Sequence, residues 1–208
     1  MQDQLTYKTQ NQKPNLHPMI AKRYHLNKFQ ILNHAENTIE DILKQCRQMD
    51  IQEFFYKSEQ WSVAENLEHL ALSLHRSWLG LFAPKFFIKW KFGKPNHESL
   101  TYEELIEVYY KKLEAGFVQD KRYAPLVKQE NGAKEKLITR FEQTAKKYLD
   151  QIRYYWEDEN MDDYQLPHPV LGMITVRELL YFNLFHNTHH YKTIRSRKNE
   201  ALEFSPAD

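Results

Sequence analysis

Two histidines four residues apart, His186 and His190, stand where a helix would project both imidazoles from the same side. Neutral imidazole is a common ligand for divalent transition metals, and this spacing lets one helix face supply two of the nitrogens. A catalytic ion usually takes three protein ligands and keeps a further position for water or substrate, so a third donor must come from another element. Spacing leaves that donor open. His69 and His75 cannot both face one site, because six residues of helix turn them far apart; His69 falls near Asn66 and Ser73 on the helical wheel, and His75 near Glu68. His168, within LPHP, is a loop alternative. His189 makes a competing i,i+3 pair with His186, but it points about 100° away from His190, towards the outside.

The pair is carried by Thr175 to Ile194, TVRELLYFNLFHNTHHYKTI. Thr175 and Glu178 form a capping box, in which each side chain satisfies a free backbone donor at the helix start. Val176, Leu179, Leu180, Asn183, His186, Asn187, His190 and Ile194 then share one broad face. Polar groups on a buried face need partners. Asn183 and Asn187 are therefore candidates to hydrogen-bond a ligand histidine or a bound water, with backbone groups as the ordinary alternative.

The rest of the chain supplies helices to position this one. From Pro18 to about Met49, the residues Tyr24, Ile31, Leu32, Ala35, Ile39, Ile42, Leu43 and Cys46 recur at helical spacing, which makes Cys46 a small core residue. A second capping box, Ser62 with Glu65, opens a helix to about Phe82. Val63, Leu67, Leu70, Leu74, Trp78 and Leu81 form one apolar face, and Leu72, Leu79 and Phe82 suggest burial on a second. Residues 85–98 read as an aromatic-rich connector over the core, with a membrane-surface or partner-facing patch as the alternative. Thr101 and Glu104 cap a helix to about Gly116, residues 119–132 read as a loop, and a further helix runs from Ala133 to about Trp156. Glu157 to Gly172 reads as a long connection. The expected fold is all-α: a four-helix bundle with short helical or irregular connectors, over residues 18–196, between a flexible tail at 1–17 and a C-terminal tail at 197–208.

Composition narrows the function classes. The chain has 208 residues, 27% of them charged, and a formal net charge of +1, which leaves no basic footprint for nucleic acid. The mean hydropathy is -0.77 and no run of about 18 apolar residues occurs, so no membrane span is expected. The first fifteen residues, MQDQLTYKTQNQKPN, lack the apolar stretch of a signal peptide. One cysteine allows no internal disulfide and fits a reducing compartment, so a soluble cytoplasmic protein is expected. Neither G-x-G-x-x-G nor G-x-x-x-x-G-K-[ST] is present, and no serine or cysteine triad signature stands out.

Two segments together carry a family resemblance: WSVAENLEHL, and far downstream HPVLGMITVRELLYFNLFHNTHHYKTI. They resemble the DinB/YfiT-like superfamily of metal-binding helical bundles. That group has a tryptophan–serine helix start with a histidine two turns in, and a T-x-x-E helix that ends in H-x-x-x-H. The resemblance spans roughly residues 20 to 195 and, matched motif to motif, implies His69, His186 and His190 as metal ligands. It implies a divalent ion, zinc or nickel, facing a bundle cavity, and a homodimer. It also implies chemistry on a low-molecular-weight thiol such as bacillithiol or mycothiol, as in thiol-dependent S-transferases and an isomerase of the group. The alternatives are a non-catalytic stress-associated or interaction protein with a structural metal, and a metal-dependent hydrolase. The connector at 85–98 and the loop at 119–132 depart from the family pattern, so the small-molecule substrate is not carried over.

Overall fold

The computed structural model describes residues 24–116 and 123–204. The tail expected at 1–17 and the helix start expected at Pro18 lie outside them. Seven helices and one short hairpin make up the described residues: α1 (Lys28–Gln48), α2 (Ile51–Phe55), α3 (Val63–Phe82), α4 (Lys85–Phe92), α5 (Tyr102–Glu114), α6 (Ala133–Tyr155), β1 (Gln165–His168), β2 (Gly172–Thr175) and α7 (Val176–Phe204).

Capping boxes set most helix starts. The three expected from sequence form as pairs: Ser62 with Glu65, Thr101 with Glu104, and Thr175 with Glu178. Two more, Asn27 with Gln30 and Asp50 with Glu53, start α1 and the short α2. The Asn27 cap corrects the expected first helix. It begins at Lys28, and Tyr24 lies outside it as an exposed residue. At the other end of the chain α7 runs on to Phe204, with Arg197 and Ala201 buried, so residues 197–204 are helix where a tail was expected. An i,i+3 bridge from Arg197 to Glu200 and bonds from Arg197 to Ser58 and Gln60 hold that extension.

The core forms where four long helices meet. α1 packs on α6 and α7, and α3 packs on α6 and α7, so each helix of the first pair touches both of the second. Ile31, Ala35, Ile39, Ile42 and Cys46 from α1 meet Leu67, Leu70 and Leu74 from α3, Phe141, Tyr148 and Ile152 from α6, and Leu180 from α7 in one buried cluster. Cys46 is fully buried, and burial pushes its thiol up to about 12, as befits a packing residue. The end of α3 is tied to α6: Gln151 Nε2 and Trp156 Nε1 both donate to the Leu81 carbonyl at 3.1 Å. The second apolar face expected on α3 is corrected, because Leu79 and Phe82 are exposed. The second buried face is polar and small instead, comprising Asn66, His69, Ser73 and Ser77.

The connection from 157 to 172 is more ordered than its sequence suggests. β1 and β2 pair antiparallel, with Leu166 opposite Ile174 and His168 opposite Gly172. Pro167 is tolerated because a two-stranded ribbon has only edge strands. Period-two alternation over four residues is too short to read from sequence. Gly80 lets the hairpin approach α3, since a Cβ there would stand 3.1 Å from Leu166 Cδ1. The hairpin leads directly into α7, and α5 packs on α7 through edge contacts of Tyr109 with Phe182 and Phe185. No described helix is long and apolar enough to cross a membrane.

Candidate metal centre

His69 comes from α3, two turns into a helix whose start is fixed by the Ser62–Glu65 box. His186 and His190 come from α7, one turn apart, on the face that packs against α3. The three rings meet: centroids are 4.9 Å apart for His69 and His186, 4.8 Å for His69 and His190, and 4.6 Å for His186 and His190. One nitrogen from each lies within 4.8 Å of the others, and the Nε2 atoms of His69 and His186 are 3.0 Å apart. Nitrogens that share a tetrahedral zinc at about 2.1 Å stand roughly 3.4 Å from one another. Small side-chain adjustments separate the observed arrangement from that one.

Outer hydrogen bonds decide which nitrogen faces inward for two of the rings, His69 and His190. His69 Nδ1 donates to the Tyr123 carbonyl at 2.7 Å, which puts the lone pair on Nε2. His190 Nδ1 lies 2.7 Å from Asn66 Oδ1. The Asn66 amide can have only that orientation, because its Nδ2 donates to the Ser62 carbonyl at 2.8 Å and the Trp61 carbonyl at 3.3 Å. His190 therefore carries its proton on Nδ1 and a lone pair on Nε2. The His186 Nδ1 atom is buried without a protein partner among the described residues. Trp61 packs on His69 and stacks along His190, while Phe182 stacks on His186, so aromatic rings wall the cluster on two sides.

Electrostatics keep the rings uncharged. Burial holds His186 and His190 well below the usual histidine range, and mutual repulsion among the rings adds to it. Burial also lowers His69, opposed by its bond to the Tyr123 carbonyl. Neutral imidazole is the form that binds metal. Outer acceptors set inward lone pairs on His69 and His190. The unpartnered Nδ1 of His186 leaves its Nε2 free to donate to His69 or to turn a lone pair inward, and the three nitrogens fit a divalent ion.

The other sequence candidates fall elsewhere. His189 is exposed and stays outside the nitrogen cluster, as the wheel indicates, although its ring is 5.2 Å from that of His190. His75 is exposed and lies against Trp78. His168 packs on Phe182 and accepts at Nδ1 from the Val170 and Leu171 amides; burial pushes it down to about 4. Asn183 bridges Ser77 and Tyr148 and bonds none of the histidines. Asn187 is buried with neither amide atom bonded to a described residue. The ring-orienting role expected of these asparagines is filled by Asn66 and the Tyr123 carbonyl. Asn66 left a sequence signal, an asparagine inside a helix and one turn before His69. A backbone carbonyl leaves none.

One side of the cluster opens to a cavity of about 860 Å³, which is the size of small-molecule sites. α3 contributes Ser73, Ser77 and Gly80, whose small side chains leave the space, and α4, α5 and the hairpin close it with aromatic and apolar groups. The aromatic connector thus becomes a helix that walls the cavity with Phe87 and Phe92 and exposes Phe86 and Trp90 on its outer side.

Neither the curated proteins nor the solved structures contain a match to this chain. The family model of the DinB superfamily matches residues 22–194, a segment that includes α1 to α6, the hairpin and all three clustered histidines. The chain belongs to the DinB superfamily.

Proposed function

We propose that this protein is a divalent-metal enzyme of the DinB superfamily that joins a low-molecular-weight thiol to an electrophilic small molecule. His69, His186 and His190 are its ligands, zinc or nickel its ion, and a four-helix bundle of α1, α3, α6 and α7 its frame. The observation that carries this reading is the convergence of three neutral imidazoles on one wall of a cavity of ligand size. A divalent ion held there supplies Lewis acidity, which favours the deprotonated form of a thiol or a water. Asn66 and the Tyr123 carbonyl hold two rings in register, and Trp61 and Phe182 keep bulk water from their faces. The chain's one thiol, Cys46, is buried in the core and raised to about 12, so it does not serve as the nucleophile. A thiol nucleophile therefore comes with a cosubstrate. We place the protein in the cytoplasm, as a homodimer.

The test is turnover by the zinc- or nickel-loaded protein on a panel of electrophiles, with and without a small thiol. Conjugation that requires both thiol and metal supports the proposal. Metal-dependent hydrolysis without thiol would assign the protein as a hydrolase, and no turnover at all would leave a structural or interaction role.

A further inference from the structure

We infer that the cavity in front of the three histidines takes an organic carboxylate with an aryl or alkyl body, its charged head held at a rim made by Arg76 and Lys91. This rests on the cavity being the reaction site and names the chemical class of the molecule that enters it.

The lining carries the argument. Although the chain has 28 acidic residues, no aspartate or glutamate is among the described residues around the cavity. Two permanent cations are, Arg76 from α3 and Lys91 from α4, both exposed at its edge. Neither has a carboxylate partner among the described residues. Most other described arginines are matched, Arg47 with Glu142, Arg140 with Glu68, Arg153 with Glu36, Arg177 with Asp158 and Asp162, and Arg197 with Glu200, while Arg195 lies over the Tyr191 ring away from the cavity. The Lys91 ammonium rests instead over the Phe87 and Phe92 rings, at 5.6 and 5.4 Å from their centroids. A cavity with no carboxylate in its described lining, and with cations at its mouth, focuses a field that attracts anions and repels cations.

The dimensions suit one molecule reaching from rim to histidines. Arg76 follows His69 by seven residues of α3, about 10 Å along the helix axis. Ser73 between them and Ser77 just beyond leave room, and Phe87, Phe92, Tyr109 and Phe185 face the space with apolar surface. A carboxylate on such a body satisfies the rim with charge-assisted hydrogen bonds, which a neutral head cannot equal.

Calorimetric titration of the full-length protein with 4-phenylbutyrate, 4-phenylbutanol and 4-phenylbutylammonium tests this, in metal-free and zinc-loaded forms. The carboxylate is expected to bind about tenfold or more tighter than the alcohol, with the ammonium weakest, in both forms. The double variant R76Q/K91Q is expected to narrow that preference to within about threefold while zinc affinity and thermal midpoint stay unchanged. Both residues are exposed, so the fold does not depend on them. Equal binding of the three probes, or no binding of any, overturns the inference. A preference that survives R76Q/K91Q but disappears on metal removal also overturns it, because the carboxylate would then sit at the ion. Failure to bind zinc with the preference intact removes the metal reading and leaves this one standing.

Discussion

At the start of α7, Arg177 is 5% exposed and Glu178 1%; three turns on, His186 is 8% exposed, Asn187 1% and His190 8%. Burial is alike in the two places, but satisfaction is not. Arg177 donates to both Asp162 oxygens at 2.8 and 3.0 Å, to Asp158 Oδ1 at 3.1 Å, and to the Asp158 and Leu26 carbonyls. Glu178 accepts from the Thr175 and Leu100 amides and faces His97 Nε2 at 3.0 Å. That network ties α1, the turn before the hairpin, α5 and α7 together. In the histidine cluster, by contrast, two Nε2 atoms face each other at 3.0 Å, while His186 Nδ1 and the whole Asn187 amide bond to no described residue. Native cores rarely leave buried polar atoms so, and where they do a ligand or a function is the usual reason. One end of the helix is a lock that is complete as folded. The other keeps polar atoms that no described residue satisfies, as the proposed metal site requires.

The largest effect should fall on the lock. Arg177→Met removes the one group among the described residues that pairs Asp158 and Asp162 at once; it takes the Arg177 donor from the Asp158 carbonyl and leaves the Leu26 carbonyl with the Tyr181 hydroxyl. A loss of about 3 kcal/mol is expected in urea unfolding, at the low end for such a break because both aspartates keep contact with solvent. Metal affinity of the folded fraction should not change. If it falls along with stability, the two ends are not separate.

Acid should separate them by pH window. His168, beside the cavity, is pushed down by burial to about 4 from 6.5, and both its Nδ1 bonds require the neutral ring. As the pH drops below 6.5 the unfolded chain takes up a proton that the folded chain refuses, so stability falls until the pH reaches about 4. The loss from this residue is on the order of 3 kcal/mol at most. At the lock, burial raises the Asp162 carboxyl, but hydrogen bonds from Arg177 and Ser99 outweigh it and hold it below 3.8. Its contribution is present above 3.8 and is lost only as the pH falls through the lowered value. Urea midpoints from pH 7 to 3 should therefore fall in two stages. His168→Asn, which keeps an acceptor for the turn, should shrink the upper stage without abolishing it, because burial holds His69, His186 and His190 low as well, and should leave the lower stage unchanged. A wild-type curve that is level between pH 6.5 and 4 would sink this assignment.

Metal should act on one end only. In the metal-free protein His186→Ala is expected to cost about 1 to 2 kcal/mol, for the buried ring on Phe182 and its Nε2 contact with His69, since its outer nitrogen has no partner among the described residues to lose. Zinc at a hundred times its dissociation constant should raise the wild-type unfolding free energy by about 2.7 kcal/mol, and the variant's not at all. An equal shift in both would show that the ion binds elsewhere.

The same contrast explains what the sequence made legible. Capping boxes and apolar periodicity are local signals, so α3, α5, α6 and α7 can be located to within a few residues from Ser62, Thr101, Ala133 and Thr175. The His186–His190 pair is legible for the same reason, one helix face. His69 is not, because its meeting with α7 depends on tertiary packing, and it came from family resemblance. The lock was invisible, as Arg177 reads as a surface residue until Asp158 and Asp162 fold against it from an irregular turn. The hairpin is too short to show a period, and its Pro167 reads as loop.

The smallest effect, and the sharpest, is expected at Asn66. Its amide spans the two kinds of bonding: Nδ2 is anchored on the Trp61 and Ser62 carbonyls, as in a lock, and Oδ1 presents an acceptor to His190, as in a site. Asn66→Ala releases the His190 ring, so zinc affinity should fall about 10- to 100-fold, which is about 1.4 to 2.7 kcal/mol. Asn66→Asp keeps the acceptor on His190 and gives up the anchoring donors. If orientation of the ring is what matters, the aspartate should recover most of the affinity while sharing the alanine variant's loss of stability in the metal-free protein. If packing around α3 is what matters, both variants should lose affinity in proportion to their loss of stability. Isothermal titration with zinc, read beside urea unfolding of the metal-free forms, distinguishes the two, because only the first outcome breaks that proportion.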